Sequence, residues 1–70
     1  MPMTTTRSAT RLFPPAYELT LDTPSGEQCF LKLGDLWFVW REFSCESKGW
    51  MLVDDANTLQ DLNQRLAPLL

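Results

Sequence analysis

Seventy residues make one small domain and leave no space for a second. The chain carries six basic and nine acidic side chains and no histidine, for a formal charge of −3. That composition removes the commonest general base, the commonest metal ligand and the usual sensor of physiological pH, and two cysteines without histidine fall short of a zinc site within one chain.

Cys29 and Cys45 are not spaced as C-x-x-C, which excludes a thioredoxin-type pair. Free thiols in a reducing cytoplasm are the expectation. The longest wholly apolar run, Leu36-Trp37-Phe38-Val39-Trp40, is far short of a bilayer span, so no membrane insertion is expected. Met1 to Thr10 lacks the apolar stretch of a secretory signal.

In chain order, residues 1–11 read as a disordered tail, rich in threonine and carrying Arg7 and Arg11. Residues 12–70 read as the single folded domain. Leu12-Phe13-Pro14-Pro15 pairs two bulky apolar residues with a stiff proline pair, which suits a strap over the domain or a docking motif. Ala16 to Thr23 alternates: Tyr17, Leu19 and Leu21 point one way, Glu18, Thr20 and Asp22 the other, which is the pattern of a half-buried strand.

Pro24-Ser25-Gly26 follows and reads as a three-residue loop, a type I turn with Gly26 as a bulge. That loop pairs Leu21 with Cys29, Leu19 with Leu31 and Tyr17 with Leu33. Glu27 to Leu33 is the next strand, and Gly34-Asp35 is a two-residue turn of type II′. Leu36 to Phe43 then returns, with Leu33 opposite Leu36, Leu31 opposite Phe38 and Cys29 opposite Trp40. One expected core face results: Tyr17, Leu19, Leu21, Cys29, Leu31, Leu33, Leu36, Phe38 and Trp40.

Ser44 to Gly49 is polar and reads as a loop, and Trp50 to Val53 as a short fourth strand. A helix follows, capped by Asn57 with Gln60 at the reciprocal position, or by Asp55. Leu59, Leu62 and Leu66 form its apolar stripe, and Pro68 ends it. The fold class is α+β: a small antiparallel β-meander of three to four strands with one C-terminal helix packed on one face.

A helix covers only one face of a sheet, and the other is normally polar. Here the expected second face carries Phe30, Trp37, Val39 and Phe43, interleaved with Lys32 and Arg41. These six are the candidate partner-binding residues, with Lys32 opposite Trp37 in cation–π contact. No catalytic constellation accompanies them. Asp54, Asp55 and Asp61 suit a helix start, and Ser44, Cys45 and Ser47 have no neighbouring base. The glycines are scattered turn residues, not a phosphate loop.

The expectation is a non-enzymatic protein-binding module: a regulator, inhibitor or accessory subunit whose partner is another protein or a homodimer mate. No cofactor, metal or small-molecule substrate is expected. The alternative is a nucleic-acid-binding domain that stacks bases on the sheet aromatics and uses Arg7 and Arg11. Charge opposes it, because residues 18–70 hold all nine acids against Lys32, Arg41, Lys48 and Arg65. An acidic mimic of nucleic acid is a third possibility, weakened by so few acids.

Overall fold

Five antiparallel strands lie side by side in chain order, and one helix packs on one face of the sheet. The computed structural model describes residues 3–13 and 15–70. The strands are β1 (Thr5–Arg11), β2 (Ala16–Thr23), β3 (Gly26–Leu33), β4 (Leu36–Glu42) and β5 (Lys48–Leu52). Helix α1 spans Ala56–Leu66, and a 3-10 turn, Ala67–Leu69, follows it. The class is the expected one, with one strand more than the sequence suggested. Among the described residues, no helix is long and apolar enough to cross a membrane.

The additional strand is β1, inside the stretch 1–11 expected to be a tail. It has almost nothing to bury, and polar chemistry holds it instead. Its ladder to β2 runs from Thr5 opposite Asp22 to Arg11 opposite Tyr17, with an irregularity between Thr6 and Ser8. Arg7, within that irregularity, pairs with Asp22 at 3.4 Å and with Glu27. From the C-terminal side, Arg65 donates to the Thr6 hydroxyl (2.9 Å) and the Thr4 carbonyl (3.2 Å). Arg11 donates to the Leu69 carbonyl. Met1 and Pro2 lie outside the described residues.

Leu12, Phe13 and Pro15, the described residues between β1 and β2, do not strap the domain. The Leu12 N–H donates to the Ala16 carbonyl (3.0 Å), and the Ala16 N–H to that of Phe13 (3.1 Å). The Phe13 side chain is 91% exposed, so it covers neither face. Pro14 lies outside the described residues.

The β2–β3 hairpin closes one residue tighter than expected. Thr23 lies opposite Gly26, so the loop is Pro24-Ser25 alone, and Leu19 faces Phe30 instead of Leu31. Proline cannot take the positive φ that a two-residue hairpin usually wants at its first position. Here Gly26 takes it instead, at φ +119°. The Thr23 hydroxyl supports the turn by accepting from the Ser25 N–H (3.2 Å) and donating to the Gly26 carbonyl (2.6 Å).

A shift of one residue moves every side chain of a strand to the other face. The Gly34-Asp35 turn keeps its expected register, Leu33 opposite Leu36 and Leu31 opposite Phe38, so β4 is inverted together with β3. Gly34 has φ +59° and Asp35 a negative φ, which is the type II′ pattern.

Rows of paired side chains therefore run across the sheet beneath the helix. One row is Ala9, Leu19, Phe30, Val39 and Met51; the next is Arg11, Tyr17, Lys32 and Trp37. The core consists of Leu19, Leu21, Phe30, Trp37 and Val39 from the sheet and Leu62 and Leu66 from the helix. Trp37 is 1% exposed, and its indole Nε1–H donates to Asn63 Oδ1 at 2.9 Å. That bond satisfies the one polar atom the burial would otherwise strand. Of the expected shared core, Leu19, Leu62 and Leu66 are together, whereas Leu31 and Phe38 lie on the opposite face.

Asp55, not Asn57, caps the helix. Its carboxylate accepts from the Thr58 N–H (2.9 Å) and the Thr58 hydroxyl (2.8 Å). The bond from the Thr58 N–H, then that from the hydroxyl, lowers the pKa of Asp55 below its ordinary 3.8. Farther along, Arg65 pairs with Asp61 one turn earlier at 3.0 Å. The helix stops at Leu66, two residues before Pro68.

Two outcomes follow for stability. Trp37→Ala costs about 3–5 kcal/mol, because it opens the core, whereas Leu33→Ala stays within about 1 kcal/mol; equal shifts in a urea titration would contradict the face assignment. Asp55 contributes stability above the ordinary carboxyl pKa and loses it as pH falls through its lowered native value. An acid titration of Asp55→Asn, followed by circular dichroism, therefore shows a shallower loss of stability than wild type.

Candidate protein-binding face

The face away from the helix is built by the same ladders, one residue out of phase. One row is Thr10, Glu18, Leu31, Phe38 and Leu52. Beside it, at the Gly34 end, are Ala16, Leu33 and Leu36. Toward the other end lie Thr20 and Cys29, with Trp40 opposite Trp50. The face is thus divided: β1 and β2 present polar groups, and β3, β4 and β5 present a continuous apolar block.

The two exposed tryptophans meet for a reason visible in the backbone. The Val53 N–H donates to the Trp37 carbonyl (2.9 Å) and the Phe43 N–H to the Ser47 carbonyl (2.7 Å), which sets the phase of the β4–β5 ladder. Trp40 and Trp50 therefore form a non-hydrogen-bonded pair, the kind whose side chains approach most closely. Their rings pack edge to face, with centroids 5.3 Å apart and planes at 71°. The Trp40 indole donates to Glu42 Oε1 at 2.8 Å.

Among the described residues, none covers this block. Leu33, Leu36, Trp40, Trp50 and Leu52 are between 36% and 55% exposed, while Leu31 and Phe38 are half-buried among them. Those exposures amount to on the order of 500 Å² of apolar-rich surface, the upper end of the largest patch on ordinary monomers. Glu18, Glu42 and Lys48 stand at its margin. Arg7, Asp22 and Glu27 form a cluster on the polar half.

The six residues proposed from sequence are not brought together as a surface. Phe30 (5%), Trp37 (1%) and Val39 (6%) are core, because the tight β2–β3 hairpin turns them under the helix. Lys32 is on that same half-buried side and stands over Tyr17, 5.9 Å from the ring centroid, and not over Trp37. Arg11 approaches the same ring at the same distance. Arg41 is exposed in a groove of about 300 Å³ between the helix start and β3–β5, with Gln28, Met51 and Asp55. Phe43 is exposed, beside the β4–β5 turn.

The residues that do form the apolar surface, Leu33, Leu36, Phe38 and Trp40, fall on the face the sequence assigned to the core. The idea of a surplus apolar face survives, with the two sides exchanged. The signal that both faces of β3 and β4 are apolar was present in the alternation. The choice between them was not, since it rests on the Thr23 hydroxyl.

Single-tryptophan variants report the faces directly. A chain with Trp40→Phe and Trp50→Phe retains only Trp37, whose fluorescence is blue-shifted and resists acrylamide. Chains with Trp40→Phe alone or Trp50→Phe alone keep Trp37 in the core and one exposed indole, and are quenched more strongly. A readily quenched Trp37 would contradict this assignment.

Comparison with protein-family models, with curated proteins and with solved structures finds no match for this chain.

Proposed function

We propose that this protein is a non-enzymatic protein-binding module that acts through the apolar face of β3, β4 and β5. One observation carries the proposal: a sheet face holding Trp40, Trp50 and three exposed leucines remains open after the helix has covered the other side. Tryptophan is the residue type that anchors interfaces most often, and the central apolar, marginally charged arrangement is the usual anatomy of a protein contact.

Charge favours a protein partner over nucleic acid. Arg7 is engaged with Asp22 and Glu27, and Arg11 with Leu69 and Tyr17, so neither extends as a free basic arm. Around the aromatic block, Glu18 and Glu42 outnumber Lys48. A groove for phosphates needs the opposite balance. The absence of histidine and the separation of Cys29 on β3 from Cys45 in the β4–β5 turn support a non-catalytic role in a reducing compartment.

The test is a comparative capture from the source cell. Wild type, Trp40→Ala and Leu36→Asp are tagged and used side by side, with folding checked by circular dichroism. A specific protein retained at high salt by wild type and lost by both variants supports the proposal. Equal capture by all three, or capture of nucleic acid that disappears as salt rises, overturns it.

A further inference from the structure

The two edges of the sheet are treated very differently. Edge strands invite pairing with another chain, and proteins blunt them with charge, irregularity or a covering segment. β1 has all three: Arg7 and Arg11, the irregularity at Thr6–Ser8, and the C-terminal residues Arg65 and Leu69 bonded to it. β5 has a single charge, Lys48, and a regular ladder to β4 with no shift along its length.

β5 is also exposed on both faces at once. Trp50 and Leu52 point to the open face, and Met51, 48% exposed, points to the helix side, which α1 leaves uncovered at this edge. A partner lying on the open face alone would leave Met51 in water. A strand added at the edge covers both sides.

The backbone phase says which groups that strand would meet. With Trp37–Val53, Val39–Met51 and Arg41–Gly49 as the hydrogen-bonded pairs, Met51 and Gly49 turn their peptide groups inward to β4. Lys48, Trp50 and Leu52 turn theirs outward. This outward set is symmetrical about Trp50. An antiparallel copy of the same strand satisfies all three when Trp50 faces its own counterpart and Lys48 faces Leu52.

We infer that β5 pairs antiparallel with β5 of a second copy of this chain, about a two-fold axis at Trp50, to make one continuous ten-stranded sheet. The inference goes beyond the proposed function, because it concerns the edge and not the face. Three features of the chain favour a second copy over an unrelated strand. The cationic end of one β5, at Lys48, comes alongside the acidic end of the other, where Asp54 and Asp55 follow Leu52. Met51 on the helix side comes opposite Gly49, where no atom lies within 4 Å of the place a Cβ would occupy. The Trp40–Trp50 pairs of the two copies become neighbours, so the open apolar face doubles in width. Glu46 stands beyond the strand in the β4–β5 turn and limits the charge benefit without entering the paired register.

Analytical ultracentrifugation of the full chain at rising concentration tests this. Wild type is expected to move from monomer to dimer. Leu52→Lys places like charges opposite each other twice in the dimer and weakens association by roughly tenfold or more. Leu52→Glu removes the same apolar side chain but faces Lys48 favourably, and associates at least as well as wild type. Adding Lys48→Glu to Leu52→Lys restores the dimer. Hydrogen exchange adds a measurement free of mutation: the amides of Trp50 and Leu52 gain protection with concentration, while that of Met51 is protected throughout. A chain that stays monomeric, with those amides unprotected at every concentration, overturns the inference and leaves the face proposal standing. Equal weakening by Leu52→Lys and Leu52→Glu also overturns it, since it would place the contact on the open face.

Discussion

The pairing of Thr23 with Gly26 decides what this domain presents to its surroundings. Strand side chains alternate, so a hairpin loop of two residues or of three sends opposite sets inward. In most antiparallel sheets the wrong choice would bury polar groups and be rejected. Here both sets on β3 and β4 are apolar, Phe30, Trp37 and Val39 on one side, Leu31, Leu36, Phe38 and Trp40 on the other. Burial alone does not discriminate strongly between them. The turn does, through a threonine hydroxyl bonded within the loop; the positive φ of Gly26 suits either loop.

Once that choice is made, the helix seals it. Leu62 and Leu66 close over Leu19, Phe30 and Trp37, and Asn63 takes the indole N–H. Asn63 is itself exposed, and its Oδ1 holds the largest core side chain in one orientation. The alternative face has no counterpart to this bond, because the Trp40 indole is satisfied by Glu42 on its own strand.

The sequence was legible where one pattern admitted one answer. Ala16–Thr23 alternates with a polar face, and its limits are as read. Gly34-Asp35 admits one tight turn, and its register holds. The leucine stripe with Pro68 beyond it marks the helix and its end. Legibility failed where the deciding interaction is remote or buries little. β1 is held by Arg65 and Leu69, some sixty residues away in the chain, and its own threonines offer no apolar periodicity. Asp55 outcompetes Asn57 as the cap because Thr58 supplies both an N–H and a hydroxyl to one carboxylate. Phe30, Trp37 and Val39 read as a surface because the alternation is apolar on both sides.

The functional reading rests on what the register leaves outside. A domain of this size normally commits its aromatic residues to the core; this one commits Trp37 and Phe30 and leaves Trp40 and Trp50 in water. The most direct test of the account is therefore the set of nuclear Overhauser contacts made by the helix methyl groups. With the two-residue hairpin, Leu62 and Leu66 contact the Trp37 indole and the Phe30 ring, and neither Phe38 nor Trp40. Contacts from those methyls to Phe38 and Trp40 would show the three-residue loop, with the opposite face in the core, and would contradict it.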